Sequence, residues 1–147
     1  MTADASISVR FRELRERAGL SPDDAAKLMG LSAACVWDIE THPGEITSCY
    51  SPKQAGRFCK VLGVHPRELF SIEITEPPVS AEELARLIHA ECRSRGITLE
   101  QFEDVVGWRL SVCMEPPERL LEGMTMDGLQ GLCRELHIHW HRVMLAL

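Results

Sequence analysis

The chain has no apolar run approaching the ~18 residues needed to cross a bilayer, and no basic, apolar and cleavage-site order at its start. A membrane span and a secretory leader are therefore not expected, and the reading is a cytoplasmic protein. No Cys-x-x-Cys pair occurs among Cys35, Cys49, Cys59, Cys92, Cys113 and Cys133. Several of these fall on apolar positions of helical patterns, so they read as small core residues in a reducing compartment, not as a disulfide framework. The sequence also lacks a Gly-rich phosphate loop, a nucleophilic-serine motif and His-Glu-x-x-His. Its acidic pairs, Asp23-Asp24 and Glu82-Glu83, stand at helix starts, where the dipole accounts for them. Neither an enzyme nor a bound cofactor is expected. Positive charge is not in excess either: 16 Lys and Arg face 22 Asp and Glu, and both halves divided at Glu76 are net acidic. Because phosphate neutralisation supplies most non-specific affinity for nucleic acid, such binding would have to use a local basic face.

What the sequence does contain is a well-punctuated stretch from Gly19 to Glu40. Ser21 is a cap signal, Pro22 suits the first helical position, and Asp23 and Asp24 suit the first turn. Gly30 closes that helix and Ser32 caps the next, whose Val36 and Ile39 form an apolar stripe at three-residue spacing. Helix, Gly-containing turn and helix make a helix-turn-helix unit. A preceding helix is expected over Ser6 to Ala18, with Ile7, Phe11 and Leu14 on one face and Arg10, Arg12, Arg15 and Arg17 around the others. After His42-Pro43-Gly44 a loop runs to Tyr50. Ser51 and Pro52 then open a helix bearing Ala55, Phe58, Cys59 and Leu62, which Gly63 stops, and His65-Pro66 begins a short fifth.

These residues in this order resemble the phage repressor and Cro-type helix-turn-helix family, the xenobiotic-response-element type with a lambda-repressor-like fold. The resemblance runs from about Val9 to Phe70 and includes Phe11, Leu14, Ala26, Leu62-Gly63-Val64 and Glu68-Leu69-Phe70. It implies an ion pair between Arg15 and Glu40 that ties the first helix to the end of the third. It also implies a recognition helix docked in the major groove of double-stranded DNA through Ser32, Ala33, Ala34 and Trp37, with Arg10, Arg12 and Lys53 against backbone phosphates. The family commonly has glutamine at the start of the second helix and polar residues at the start of the third; here those places hold Pro22 and Ala33.

Past Thr75-Glu76-Pro77-Pro78-Val79, a linker by its paired prolines, the pattern recurs. Ser80 and Glu83 form a capping-box signature before Leu84, Leu87, Ile88 and Cys92. Gly96 to Phe102 echoes Gly19 to Ala25, Gly107 follows as Gly30 does, Thr125 begins a helix as Ser51 does, and Cys133 falls where Cys59 falls. The expected fold is thus all-α, two tandem five-helix repressor-like units over 1–76 and 77–147. In the second, Cys92 and Pro117 stand in the places of Arg15 and Glu40, and Pro116-Pro117 shorten the recognition-helix equivalent soon after Met114.

Ser32, Ala33, Ala34 and Trp37 offer little hydrogen bonding to bases: the alanines suit thymine methyls, and Asp38 repels phosphate. Cys133, His137 and His141, spaced by fours, would share one face of a continuous helix with a thiol and two imidazoles, but the repeat puts His137 at a helix end and His139 at a cap. No metal is therefore assigned. The function expected is a bacterial or phage DNA-binding transcriptional regulator, its second unit packing on the first or dimerising through Val143-Met144-Leu145-Ala146-Leu147. The competing reading is a helix-turn-helix-derived protein-interaction module that binds a partner regulator or a toxin.

Overall fold

The computed structural model describes residues 3–147, with side chains from Ile7 onward. Among the described residues the chain is all-α, with no strand. The first half holds α1 (Ala3–Arg17), α2 (Pro22–Met29), α3 (Ala33–Thr41), α4 (Glu45–Cys49), α5 (Pro52–Leu62) and α6 (Pro66–Leu69). The second holds α7 (Ala81–Arg95), α8 (Leu99–Val106), a 3-10 helix (Pro117–Leu121), α9 (Met126–Glu135) and α10 (His141–Met144). None of these helices is long and apolar enough to cross a membrane.

Local chemistry accounts for most boundaries. The Ser21, Ser32, Ser51, Ser80, Thr98 and Thr125 hydroxyls each accept a backbone N–H three residues on, satisfying a donor that the helix start leaves orphaned. Ser51 with Gln54, and Thr98 with Gln101, complete reciprocal capping boxes. Helix α1 starts at Ala3, ahead of the expected Ser6. Helix α4 occupies part of the expected loop: it has no side-chain cap, and the Thr47 and Ser48 hydroxyls instead donate back to the Gly44 carbonyl.

The two halves run parallel in detail. Ile7, Ser8, Phe11 and Arg15 of α1 are buried, as are Leu84, Ala85, Ile88 and Cys92 of α7, each 77 positions later. The Leu20 N–H donates to the Arg15 carbonyl, and the Ile97 N–H to that of Cys92. His65 and His139 each accept, at Nδ1, the N–H of the residue two places on, both at 3.1 Å. The parallel fails after α8. No α-helix lies between Val106 and the 3-10 helix, so the truncated recognition-helix equivalent is absent altogether. There Leu110 and Met114 are buried, whereas Ala33 and Trp37 at the same offset are exposed. Trp108 fills the side of α9 instead.

A Cβ on Gly128 would sit 2.5 Å from the Trp108 indole. Gly128→Ala is therefore expected to cost about 1–3 kcal/mol despite alanine's better helix propensity, read as a lowered denaturation midpoint. Gly131→Ala on the same helix meets only an arginine tip at 3.8 Å and serves as the control, expected to hold or raise the midpoint.

Buried residues of both halves form one hydrophobic cluster. Across the junction, the Tyr50 carbonyl accepts the Met126 N–H at 3.0 Å; within the second half, the Arg142 carbonyl accepts the Val79 N–H at 2.9 Å. Phe70 and Trp140 meet edge to face at 5.9 Å. Val143, Met144 and Leu145 are buried within the chain and serve its own core. Ala146 stays exposed and Leu147 half-buried, so only part of the tail is spent on the core.

Helix α9 ends at Glu135 and His137 takes a left-handed φ of 58°, so Cys133, His137 and His141 do not share one continuous helix. Burial pushes the Cys133 thiol up to about 12, which disfavours the thiolate a metal needs. No group of three ligating side chains is assembled among the described residues. Partial burial, aided by the His139 ring 4.5 Å away, pushes His141 down to about 4 from 6.5. The folded chain thus holds this ring neutral where the unfolded chain protonates it. The resulting stability is present above about pH 6.5 and is lost as pH falls toward 4. With its edge still wet, the expected loss is about 1–2 kcal/mol. His141→Gln is expected to shrink the drop in melting temperature between neutral pH and pH 4.

Candidate nucleic-acid interface

Helices α2 and α3 are set by a left-handed turn. Gly30 has φ 73°, a conformation that L side chains rarely adopt, and the Leu31 N–H reaches back to the Ala26 carbonyl at 2.8 Å. Ala25, Ala26 and Met29 face the core from α2, and Val36 and Ile39 from α3. This registers the opposite face of α3 outward, so Ser32, Ala33, Ala34 and Trp37 are all exposed, Trp37 at 59%.

The far end of α3 is pinned to α1. Arg15 Nη2 donates to Glu40 at 2.8 Å, Nε donates to both Glu40 oxygens at 3.1 and 3.2 Å, and Nη1 donates to the Leu20 carbonyl at 2.8 Å. Both side chains are nearly closed to water, at 9% and 7% exposed. One guanidinium therefore ties together α1, the approach to α2 and α3, and so fixes the angle at which α3 is presented.

The exposed face of α3 is small and apolar. The Ser32 oxygen accepts the Cys35 N–H and its hydroxyl donates to the Cys35 sulfur at 3.2 Å, which holds that thiol below its ordinary range. Trp37 packs edge-on against His42, with ring centroids 5.5 Å apart, and the Thr41 hydroxyl donates to its carbonyl at 2.7 Å. Ala33 and Ala34 add no polar side-chain group. Such a face approaches a partner closely but reads few hydrogen bonds.

Of the residues expected at phosphates, none sits on α3. The Arg10 Nε donates to the Leu69 carbonyl at 2.9 Å, joining α1 to α6. Arg12 is exposed and pairs with Glu16 at 3.1 Å. Lys53 pairs with Glu122 of the second half at 2.6 Å. Sequence reasoning missed Arg57, whose guanidinium lies 3.6 Å from where a Gly30 side chain would begin, and so beside the α2–α3 turn. It also missed Lys27 on α2 and Lys60 on α5, both exposed. The i, i+4, i+7 spacing of Lys53, Arg57 and Lys60 is the signal that would have found the α5 pair.

Residues 6–70 match the helix-turn-helix domain family. No curated protein and no solved structure matches the chain. The matched segment spans α1 through α6, stops before the linker, and takes in every residue of the α3 face and the Arg15–Glu40 pair. A helix-turn-helix domain is a DNA-binding unit of transcription regulators and typically carries no catalytic chemistry. In this domain α2 and α3 are the paired helices, and α3 is the one with a free outer face.

Proposed function

We propose that the chain is a transcriptional regulator of the repressor/Cro type, bacterial or phage and cytoplasmic, that lays α3 in the major groove of double-stranded DNA. Ser32, Ala33, Ala34 and Trp37 face the base edges, and Arg10, Arg12 and Lys53 lie toward phosphates, Lys53 by exchanging Glu122 for the backbone. The observation that carries this reading is the outward face of α3, held clear of the core by Gly30 and by the buried Arg15–Glu40 pair within the matched domain. With two alanines and one indole on that face, recognition rests on close fit and methyl contact, so discrimination between sequences is modest.

The parallel burial of α1 and α7, and the matched caps at His65 and His139, support two units, 1–76 and 77–147, descended from one module by duplication. The second unit has no α3 counterpart and serves as a buttress.

Backbone-amide NMR of the full chain with a mixed-sequence duplex tests the proposal. Shift changes concentrated on residues 32–38 are the expected result. Changes confined to α7–α10 would contradict docking through α3, and none at millimolar duplex would favour a protein-interaction module, for which the exposed Trp37, Ala33 and Ala34 would be the contact surface.

A further inference from the structure

A groove of about 720 Å³ runs between α5 and the 3-10 helix, at the junction of the two halves. That volume falls within the range typical of small-molecule sites, about 300–1,000 Å³. One wall is the outer face of α5, where Lys53, Arg57 and Lys60 succeed one another at helical spacing. The other carries Leu121 and Leu147, with Glu118 and Glu122 beside them. Leu147 packs close to Gly56, 3.4 Å from where a Cβ there would lie, so an apolar side chain reaches the α5 wall between the cations.

The charges of this groove are unevenly matched. Lys53 is occupied by Glu122 at 2.6 Å, but Arg57 and Lys60 have no ion-pair partner among the described residues. Two neighbouring unpaired cations in a concave site focus positive potential locally, although the chain as a whole is at −6. The guanidinium offers a planar fork for a carboxylate, and the leucines with the aliphatic stems of Arg57 and Lys60 offer an apolar bed. A duplex whose backbone reaches Lys53 would not fill the groove, because a rigid double helix cannot enter the concavity and the Glu118 carboxylate shares it.

We propose that this groove binds a small organic anion with an apolar body, its carboxylate on Arg57 and Lys60 and its hydrocarbon against Leu121 and Leu147. The site shares Lys53 with the proposed DNA interface and adjoins the α2–α3 turn through Arg57, but its test contains no DNA, so its failure is distinct from a failure of DNA reading.

The experiment is calorimetric titration of the full chain with decanoate below its micelle concentration, with decanol and inorganic phosphate as comparison probes. Decanoate is expected to saturate at one per chain, with decanol and phosphate each about tenfold weaker or more. Arg57→Gln combined with Lys60→Gln is expected to weaken decanoate about tenfold or more. Arg86→Gln with Arg93→Gln, in the separate groove beside α7, is expected to leave it unchanged. Unchanged melting temperatures show that the variants are folded. Failure of decanoate to saturate, retention of its affinity in the Arg57/Lys60 variant, an equal loss in the Arg86/Arg93 variant, or phosphate or decanol binding as tightly, would each overturn the proposal.

Discussion

Arg15→Ala is expected to lower unfolding stability by about 3–5 kcal/mol. The guanidinium makes four hydrogen bonds, three to Glu40 and one to the Leu20 carbonyl, in a site almost closed to water. Removing it leaves the Glu40 carboxylate buried without its partner and a carbonyl without its donor, and the cost of those stranded groups exceeds that of the lost contacts. Arg15→Lys is expected to recover only part, because an ammonium cannot span Glu40 and Leu20 as the planar fork does. Replacing both partners, Arg15→Met with Glu40→Leu, is expected to recover most of the stability. The second half offers the natural parallel, since Cys92 is buried at the position corresponding to Arg15 and Pro117 stands in the place of Glu40. Chemical denaturation of the full chain reads all three variants. A loss below about 1 kcal/mol for Arg15→Ala would mean that the pair is solvated and does not set α3.

Ala34→Glu is expected to weaken duplex binding at least tenfold, by about 2 kcal/mol, while leaving the fold intact or slightly firmer. Ala34 is exposed in the first turn of α3, where a carboxylate favours the helix dipole but would be driven against base edges and phosphates in the groove. Stability and binding therefore move in opposite directions, which separates an interface effect from a folding effect. Ala34→Gln at the same position keeps the size without the charge, and offers amide hydrogen bonds to adenine that the present face lacks. It is expected to bind no worse than the natural chain. Equal binding by Ala34→Glu and the natural chain would place the duplex elsewhere than on α3.

Much of the fold was legible because its helix starts carry their own caps. Ser21, Ser32, Ser51, Ser80 and Thr125 are each followed by a backbone donor their hydroxyl can satisfy, a local signal that needs no tertiary information. Helix α4 lacked such a signal, since its entry is the left-handed Gly44 and its stabilising bonds run backward to that carbonyl. The loss of a helix after Gly107 was only half visible: Pro116-Pro117 announced a stop, but not that Trp108 would turn onto Gly128 and Leu110 into the core.

The candidate site divides in the same way. The face of α3 follows from periodicity, because Val36 and Ile39 inward dictate Ala33, Ala34 and Trp37 outward. The destinations of the cations do not. Lys53 meets Glu122 across 69 positions and Arg10 meets the Leu69 carbonyl across 59, pairings that depend on how the halves and helices close on one another. Net charge was equally silent on Arg57 and Lys60, whose position beside one groove appears only when α5 and the 3-10 helix are brought together.

Fluorescence anisotropy on mixed genomic duplex fragments, at low and then moderate salt, tests whether this acidic chain binds double-stranded DNA through the segment that matches the helix-turn-helix family. The expected result is saturable binding at low salt that weakens steeply as salt rises, because lysine and arginine contacts release counterions from the phosphates. Absence of binding at low salt would contradict it, leaving the helical fold in place and removing DNA as the partner of α3.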